Sequence, residues 1–236
     1  MKGFVFDLDN TLYDRYATIE VFFRSGWERA RPYINPAYNF DRAFSHLCHT
    51  EALYVQGGWK PMYDQLVKEN FFHPCNVPTY QQLYDFAFQG FFSVAVNHPY
   101  AENVLQKLKE KGYLLAIVTN AKDCVYQNKK IEMLGIGHYF DEIIIAGDYA
   151  NQMCGDPGNL FYYKPDPSIF RYAAERLQAR PEELYYVGDN AKVDVIGALS
   201  AGMVPIWIWS RSPWPFADIP MPEHSYATIE GILELI

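Results

Sequence analysis

The chain has 236 residues, half of them hydrophobic, and carries a net charge of -8 with no basic cluster. That is enough apolar material for one large domain or a core plus a smaller one, and it lacks the electrostatic footprint of a nucleic-acid or anionic-membrane binder. Four scattered cysteines (Cys48, Cys75, Cys124, Cys154) form no CxxC pair and no long apolar segment suits a signal or a span, so an unexported, soluble protein of the reducing cytoplasm is expected.

The first predicted element is a short buried strand, Phe4, Val5 and Phe6, which ends in two carboxylates one residue apart, Asp7 and Asp9. If the strand continued, both would point the same way and each would raise the other's pKa unless a cation intervened. The alternative is that Asp7 closes the strand while Asp9, Asn10 and Thr11 form a turn, since all three residue types bond their own backbone there. From residue 15 to about 96, aromatic and polar residues mix at helical spacing, as in Ile19, Phe22, Phe23 and Trp27. Pro32 and Pro36, Gly57 and Gly58, then Pro74 and Pro78 divide this stretch into about four helices.

Beyond Pro99 strands and helices alternate. A helix is predicted over 101–111 with Val104, Leu105 and Leu108 on one face, then a buried strand over 114–118 closed by Thr119 and Asn120. A helix over 124–134 and a strand over 142–146 follow, and 147–163 reads as a polar, glycine-containing surface loop. Lys164 precedes Pro165-Asp166-Pro167, which opens a helix over 168–178. A strand over 184–187 ends in Gly188-Asp189, with Asp194 and a helix to about Ala201 behind it; a strand over 204–209 and an amphipathic helix over 229–235 complete the chain. Such alternation specifies an α/β fold, a doubly wound parallel sheet whose ligands bind beyond the carboxyl ends of the strands.

Taken in order, Asp7-Leu8-Asp9-Asn10-Thr11, the hydroxyl of Thr119 at a strand end, Lys164 before a proline-started helix, and Gly188-Asp189 with Asp194 resemble the four motifs of the haloacid dehalogenase superfamily of hydrolases. The helical insert is similar to that family's C1-type cap. The resemblance implies a core domain of residues 1–14 and 97–236 and a smaller all-helical cap of residues 15–96, inserted after the first strand. It also implies a phosphatase acting on a small phosphorylated metabolite of the nucleotide or sugar phosphate class. Asp7 would be the nucleophile of an aspartyl-phosphate intermediate, Asp9 the acid and base, and Lys164 the neutralising cation. Thr119, the Asn120 backbone N–H and Lys164 would bind the phosphoryl group. Asp7, the Asp9 carbonyl and Asp189 would hold Mg²⁺, with Asp194 behind them.

Each residue has a plainer alternative: Thr119 and Asn120 as helix caps, Lys164 as a surface lysine, Asp189 and Asp194 as a cap and a first-turn acid. The dehalogenases and phosphonatases of the family typically lack the second aspartate, so Asp9 favours phosphoryl transfer. A mutase of the β-phosphoglucomutase kind is the alternative enzyme, and an idle phospho-ligand-binding protein the alternative outside catalysis. The length of 147–163 departs from the family, with the consequence that Lys164 is displaced or that the loop covers the site. His46, Cys48 and His49 read as ordinary helix residues without a second ligand cluster, and Trp207, Trp209 and Trp214 as packing. Arg24, Arg29, Arg31 and Lys60 are either a solvated face or substrate contacts. A monomer or homodimer without nucleic-acid or membrane partners is expected.

Overall fold

A computed structural model describes residues 1–54, 59–92, 94–209 and 213–236. The chain divides into two compact units, Met1–Asp14 with Val96–Ile236, and Arg15–Ala95.

The first unit is built on one parallel sheet. Its strands are β1 (Gly3–Phe6), β2 (Leu114–Thr119), β3 (Glu142–Ile145), β4 (Leu184–Gly188), β5 (Val204–Ile208) and β6 (His224–Tyr226), in the order β3-β2-β1-β4-β5-β6. Both neighbours of β1 are parallel to it, Phe6 standing opposite Ile117 on one side and Val187 on the other. The order reverses at β1, the point at which a doubly wound sheet opens a crevice beyond its carboxyl ends. Alternation divides the strands between two faces. Val5, Ala116, Val118 and Tyr186 pack with Ile169, Phe170, Ala173 and Ala198 on one of them. Phe4 meets Tyr113 and Tyr185, and Phe6 meets Phe140.

Strands too short to alternate visibly were the ones sequence reading missed. Strand β6 is three half-buried residues, His224, Ser225 and Tyr226, at the sheet edge, where neither an apolar run nor a clear period marks it. The closing segment Ile229–Leu235 is helical, as its amphipathic pattern predicts, in the 3₁₀ form.

The stretch expected to loop over 147–163 does not. Residues Ala146–Cys154 form a helix whose Ala146, Gly147, Tyr149 and Ala150 are buried, and Gly155 closes it in the left-handed conformation at φ 74°. A 3₁₀ turn, Leu160–Tyr162, follows. Tyr163 then donates its hydroxyl to Pro157 O at 2.5 Å, tying the stretch down. The polar composition that reads as loop belongs to the exposed side of the helix, and burial of the other side overrides it.

The second unit is helical: Arg15–Ala30, Phe40–Tyr54, Trp59–Lys68 and Tyr80–Phe92, with a 3₁₀ turn at Arg31–Tyr33 around Pro32. Gly57 and Gly58, taken above as a helix break, lie outside the described residues. The core of this unit is aromatic, Phe23, Tyr38, Phe71 and Phe72 closing on Met62 and Leu66. Four of its cations are engaged locally: the Arg24, Arg29 and Arg31 guanidinium groups lie over Phe40, Phe86 and Trp27, and Lys60 pairs with Asp64. His46 bonds Glu69 at 2.7 Å and the Tyr38 hydroxyl at 3.1 Å. Among the described residues no disulfide joins the four cysteines. Among the described residues no helix is long and apolar enough to cross a membrane.

Candidate active site

The carboxyl ends of β2, β1 and β4 stand side by side, and Thr119, Asp7 and Asp189 are found there. Asp7 continues the ladder one residue past β1, its N–H donating to Val187 O at 2.8 Å. The chain then turns sharply: the amides of Thr11, Leu12 and Tyr13 all donate to Leu8 O, with Asn10 at φ 61°. Strand β1 therefore ends before Asp9, and the two carboxylates part company.

Asp7 faces Lys164. The buried ammonium donates to Asp7 Oδ1 at 2.6 Å, Asp194 Oδ1 at 2.8 Å and the Tyr186 hydroxyl at 2.9 Å. The Tyr186 hydroxyl reaches Val118 O at 3.1 Å and Asp194 Oδ1 at 3.3 Å, so the lysine is held by a side chain of β4 that is anchored across β1 on β2. Asn120 clamps the lysine's backbone, accepting from Lys164 N and donating to Lys164 O, both at 2.9 Å. Thr11 donates to Asp7 Oδ2 at 3.5 Å. Asp194 is buried and accepts the Asn190 amide on Oδ2 at 3.0 Å. Its segment, Ala191–Val195, is a π-helical turn capped by the Asn190 side chain, a distortion frequent at functional sites. Gly188 leaves room for that carboxyl, because a Cβ at this position would overlap it. The Trp207 indole donates to Asp189 O at 2.9 Å, so this tryptophan fixes the site as well as packing.

These placements decide between several alternatives. The helix Cys124–Leu134 is capped by Asp123, which accepts from Tyr126 N, and neither Thr119 nor Asn120 has that duty. Lys164 is buried, so it is not a surface lysine and the preceding stretch has not displaced it.

Asp7, Asp189 and Asp194 each bring an oxygen within 4.8 Å of the others, and among the described residues the Lys164 ammonium is the cation paired with this cluster, through Asp7 and Asp194. The electrostatics follow from that shortage of positive charge. Burial, then the Asp194 carboxylate, pushes Asp7 up to about 7 even with Lys164 beside it. Burial, then Asp7 and Asp194, pushes Asp189 well above the usual carboxylate range. Burial alone would lower Lys164, but Asp194 and Asp7 outweigh it and hold the ammonium well above the ordinary lysine value. A cluster of hard oxygen donors short of positive charge fits a divalent cation of the magnesium kind.

Asp9 lies outside that cluster, its carboxylate directed to the helix Cys124–Leu134. Lys130 donates to Asp9 Oδ1 at 2.8 Å and Oδ2 at 3.1 Å, and Gln127 Nε2 donates to Asp9 Oδ2 at 3.1 Å and to Thr119 Oγ1 at 2.8 Å. Sequence reading passed over both side chains. The available signal was their spacing: Gln127, Lys130, Ile131 and Leu134 share the buried stripe of that helix, where a lysine is out of place without a partner.

A family model described as haloacid dehalogenase-like hydrolase matches residues 1–202. The chain is similar to the glyceraldehyde 3-phosphate phosphatase of Methanothermobacter thermautotrophicus, 28% identical over 89% of this chain and 87% of that protein. It is also similar to the glyceraldehyde 3-phosphate phosphatase of Methanocaldococcus jannaschii, 27% identical over 100% of this chain and 96% of that one. In fold it resembles the HAD-hydrolase YfnB from Bacillus subtilis bound to magnesium, with a TM-score of 0.74, 18% identity and coverage of 99% and 97%.

Proposed function

The chain belongs to the haloacid dehalogenase-like hydrolases, and from that premise we propose that it is a cytoplasmic, magnesium-dependent phosphatase of a small phosphorylated metabolite, with residues 15–95 as its cap domain. The observation that carries this reading is the assignment of one lysine to each motif aspartate, Lys164 to Asp7 and Lys130 to Asp9, with Asp189 and Asp194 grouped around Asp7.

A phosphate monoester repels nucleophiles through its own charge, so an attacking carboxylate needs cations on the phosphoryl oxygens and a fixed line of approach. Lys164 supplies one cation and orients Asp7. Asp7, Asp189 and the Asp9 carbonyl would hold Mg²⁺, with Asp194 supporting them, and the ion when bound supplies the remaining positive charge on the phosphoryl oxygens. Attack by an Asp7 oxygen on phosphorus forms the aspartyl-phosphate bond and breaks the ester P–O bond, while Asp9 passes a proton to the departing oxygen. Water then gives a proton to Asp9 and attacks phosphorus. The P–O bond to Asp7 breaks, inorganic phosphate leaves, and both aspartates return to their starting state. The Thr119 hydroxyl accepts from Gln127 and so has its own hydrogen to donate to a phosphoryl oxygen, beside the Asn120 amide.

The names of the two near full-length relatives put glyceraldehyde 3-phosphate at the head of the substrate panel. Sugar phosphates and nucleoside monophosphates complete it. Phosphate release is expected with Mg²⁺, to be lost in EDTA and in Asp7→Asn; an Asp7→Asn protein of normal activity refutes the assignment. Failure to release phosphate from any member, or from p-nitrophenyl phosphate, supports the idle binding protein, and a sugar phosphate returned isomerised supports the mutase.

A further inference from the structure

In the proposed reaction Asp9 handles a proton twice, and what it can do depends on where its two oxygens are held. Three hydrogen bonds from a single helix fix them. The Lys130 ammonium spans Oδ1 and Oδ2, at 2.8 and 3.1 Å, and the Gln127 amide adds a bond to Oδ2 at 3.1 Å. The lysine side chain is only 3% exposed, against 27% for Asp9, so the cation reaches the carboxylate from the protein interior. The Tyr13 and Tyr126 rings wall the ammonium in at 4.8 and 5.6 Å from their centroids, which limits where it can go. Gln127 has two amide hydrogens on Nε2 and spends one on Asp9 and the other on Thr119. One side chain therefore sets the spacing between a proton-transfer group at the tip of β1 and a hydroxyl at the tip of β2.

We propose that Lys130 and Gln127 are positioning residues for this hydrolysis: together they fix the Asp9 carboxylate toward the leaving oxygen, and Gln127 couples its position to the Thr119 hydroxyl. Lys130 acts through Asp9 and does not touch the substrate. The inference rests on the acid–base role of Asp9 given above. It deepens that role by adding a lysine and an amide outside the four sequence motifs. Placement matters here because a general acid must stay within hydrogen-bonding reach of the atom it serves, and a displacement of about 1 Å can cost about a hundredfold in rate.

The test compares Lys130→Met, Lys130→Arg, Gln127→Leu, Asp9→Asn and the double variant Asp9→Asn with Lys130→Met. Each is assayed on p-nitrophenyl phosphate, whose leaving group departs as a stable anion, and on the fastest alkyl monophosphate of the panel. kcat/KM reports transfer to Asp7, the step in which leaving-group protonation counts. Lys130→Met is expected to lower kcat/KM on the alkyl ester by about tenfold or more and on p-nitrophenyl phosphate by much less, with substrate binding little changed. Lys130→Arg should recover most of the loss, and adding Lys130→Met to Asp9→Asn should cost nothing further, because the lysine has nothing left to position. Equal losses on both esters, or a double variant weaker than Asp9→Asn alone by the full single-variant factor, overturn the inference. So does an unchanged alkyl-phosphate rate in a folded Lys130→Met protein. If Lys130→Met fails to fold, Gln127→Leu carries the same comparison with a smaller expected loss. Failure of the underlying role is separately visible, since Asp9→Asn would then hydrolyse the alkyl ester at the wild-type rate.

Discussion

Replacing Asp7 with asparagine is expected to make the ion-free protein more stable at alkaline pH while abolishing turnover. Burial, followed by Asp194, moves the Asp7 carboxyl from 3.8 to about 7 against the pull of Lys164. Below about pH 4 the group is protonated in both folded and unfolded chains and contributes nothing. As pH rises toward the folded value the unfolded chain releases its proton more readily, so the stability contribution falls and the full penalty stands above about pH 7. A rise of about three pH units sets a ceiling of about 4 kcal/mol, at roughly 1.4 kcal/mol per unit. That rise is already net of the 2.6 Å bond to Lys164, so no separate loss is subtracted for it. The gain expected is up to about 4 kcal/mol near pH 8, or roughly 8–16 °C in Tm at that ceiling for a chain of this size, closing near pH 4. Thermal unfolding of both proteins in EDTA across this pH range measures it. Added Mg²⁺ should raise the wild type more than the variant, because an ion that binds the folded state stabilises it by an amount that grows with the logarithm of its affinity. A wild type as stable as Asp7→Asn in EDTA near pH 8, or a difference independent of pH, refutes the picture of carboxylates crowded around too little positive charge.

Lys164→Met removes the ammonium that bonds Asp7, Asp194 and Tyr186, and a loss of about 3–5 kcal/mol is expected in EDTA because two buried carboxylates are left without it. Mg²⁺ should restore part of that in a thermal melt, and a variant as stable as wild type would show that the lysine is not what holds the cluster. Gly188→Ala places a methyl against the Asp194 carboxyl; a stability loss of about 1–3 kcal/mol and reduced phosphate release are expected, and wild-type values for both would show that Asp194 can shift freely.

Much of the core could be read directly because its elements announce themselves locally. An apolar run such as LLAIV is a buried strand wherever it lies, and Asp166 followed by Pro167 starts a helix by fixing φ and satisfying an amide, as both do here. The tips of β1, β2 and β4 were legible for the same reason, and with them the positions of Asp7, Thr119 and Asp189. Residues Ala146–Cys154 were not legible, since their polar composition describes only the exposed side and the buried side is settled by what packs on it. Strand β6 was too short to carry a period.

The amino-acid order by itself determined which chemical groups end each strand, because strand and turn propensities act over a few residues. Only the tertiary structure decided how those groups are held: Lys130 meets Asp9 across 121 positions, Lys164 meets Asp7 across 157, and Tyr186 and Trp207 reach the site from strands whose sequence marks them only as packing. Hydrogen bonds and ion pairs depend on distance in space, and separations of that length in the chain become contacts only when the sheet brings its strand tips into one line.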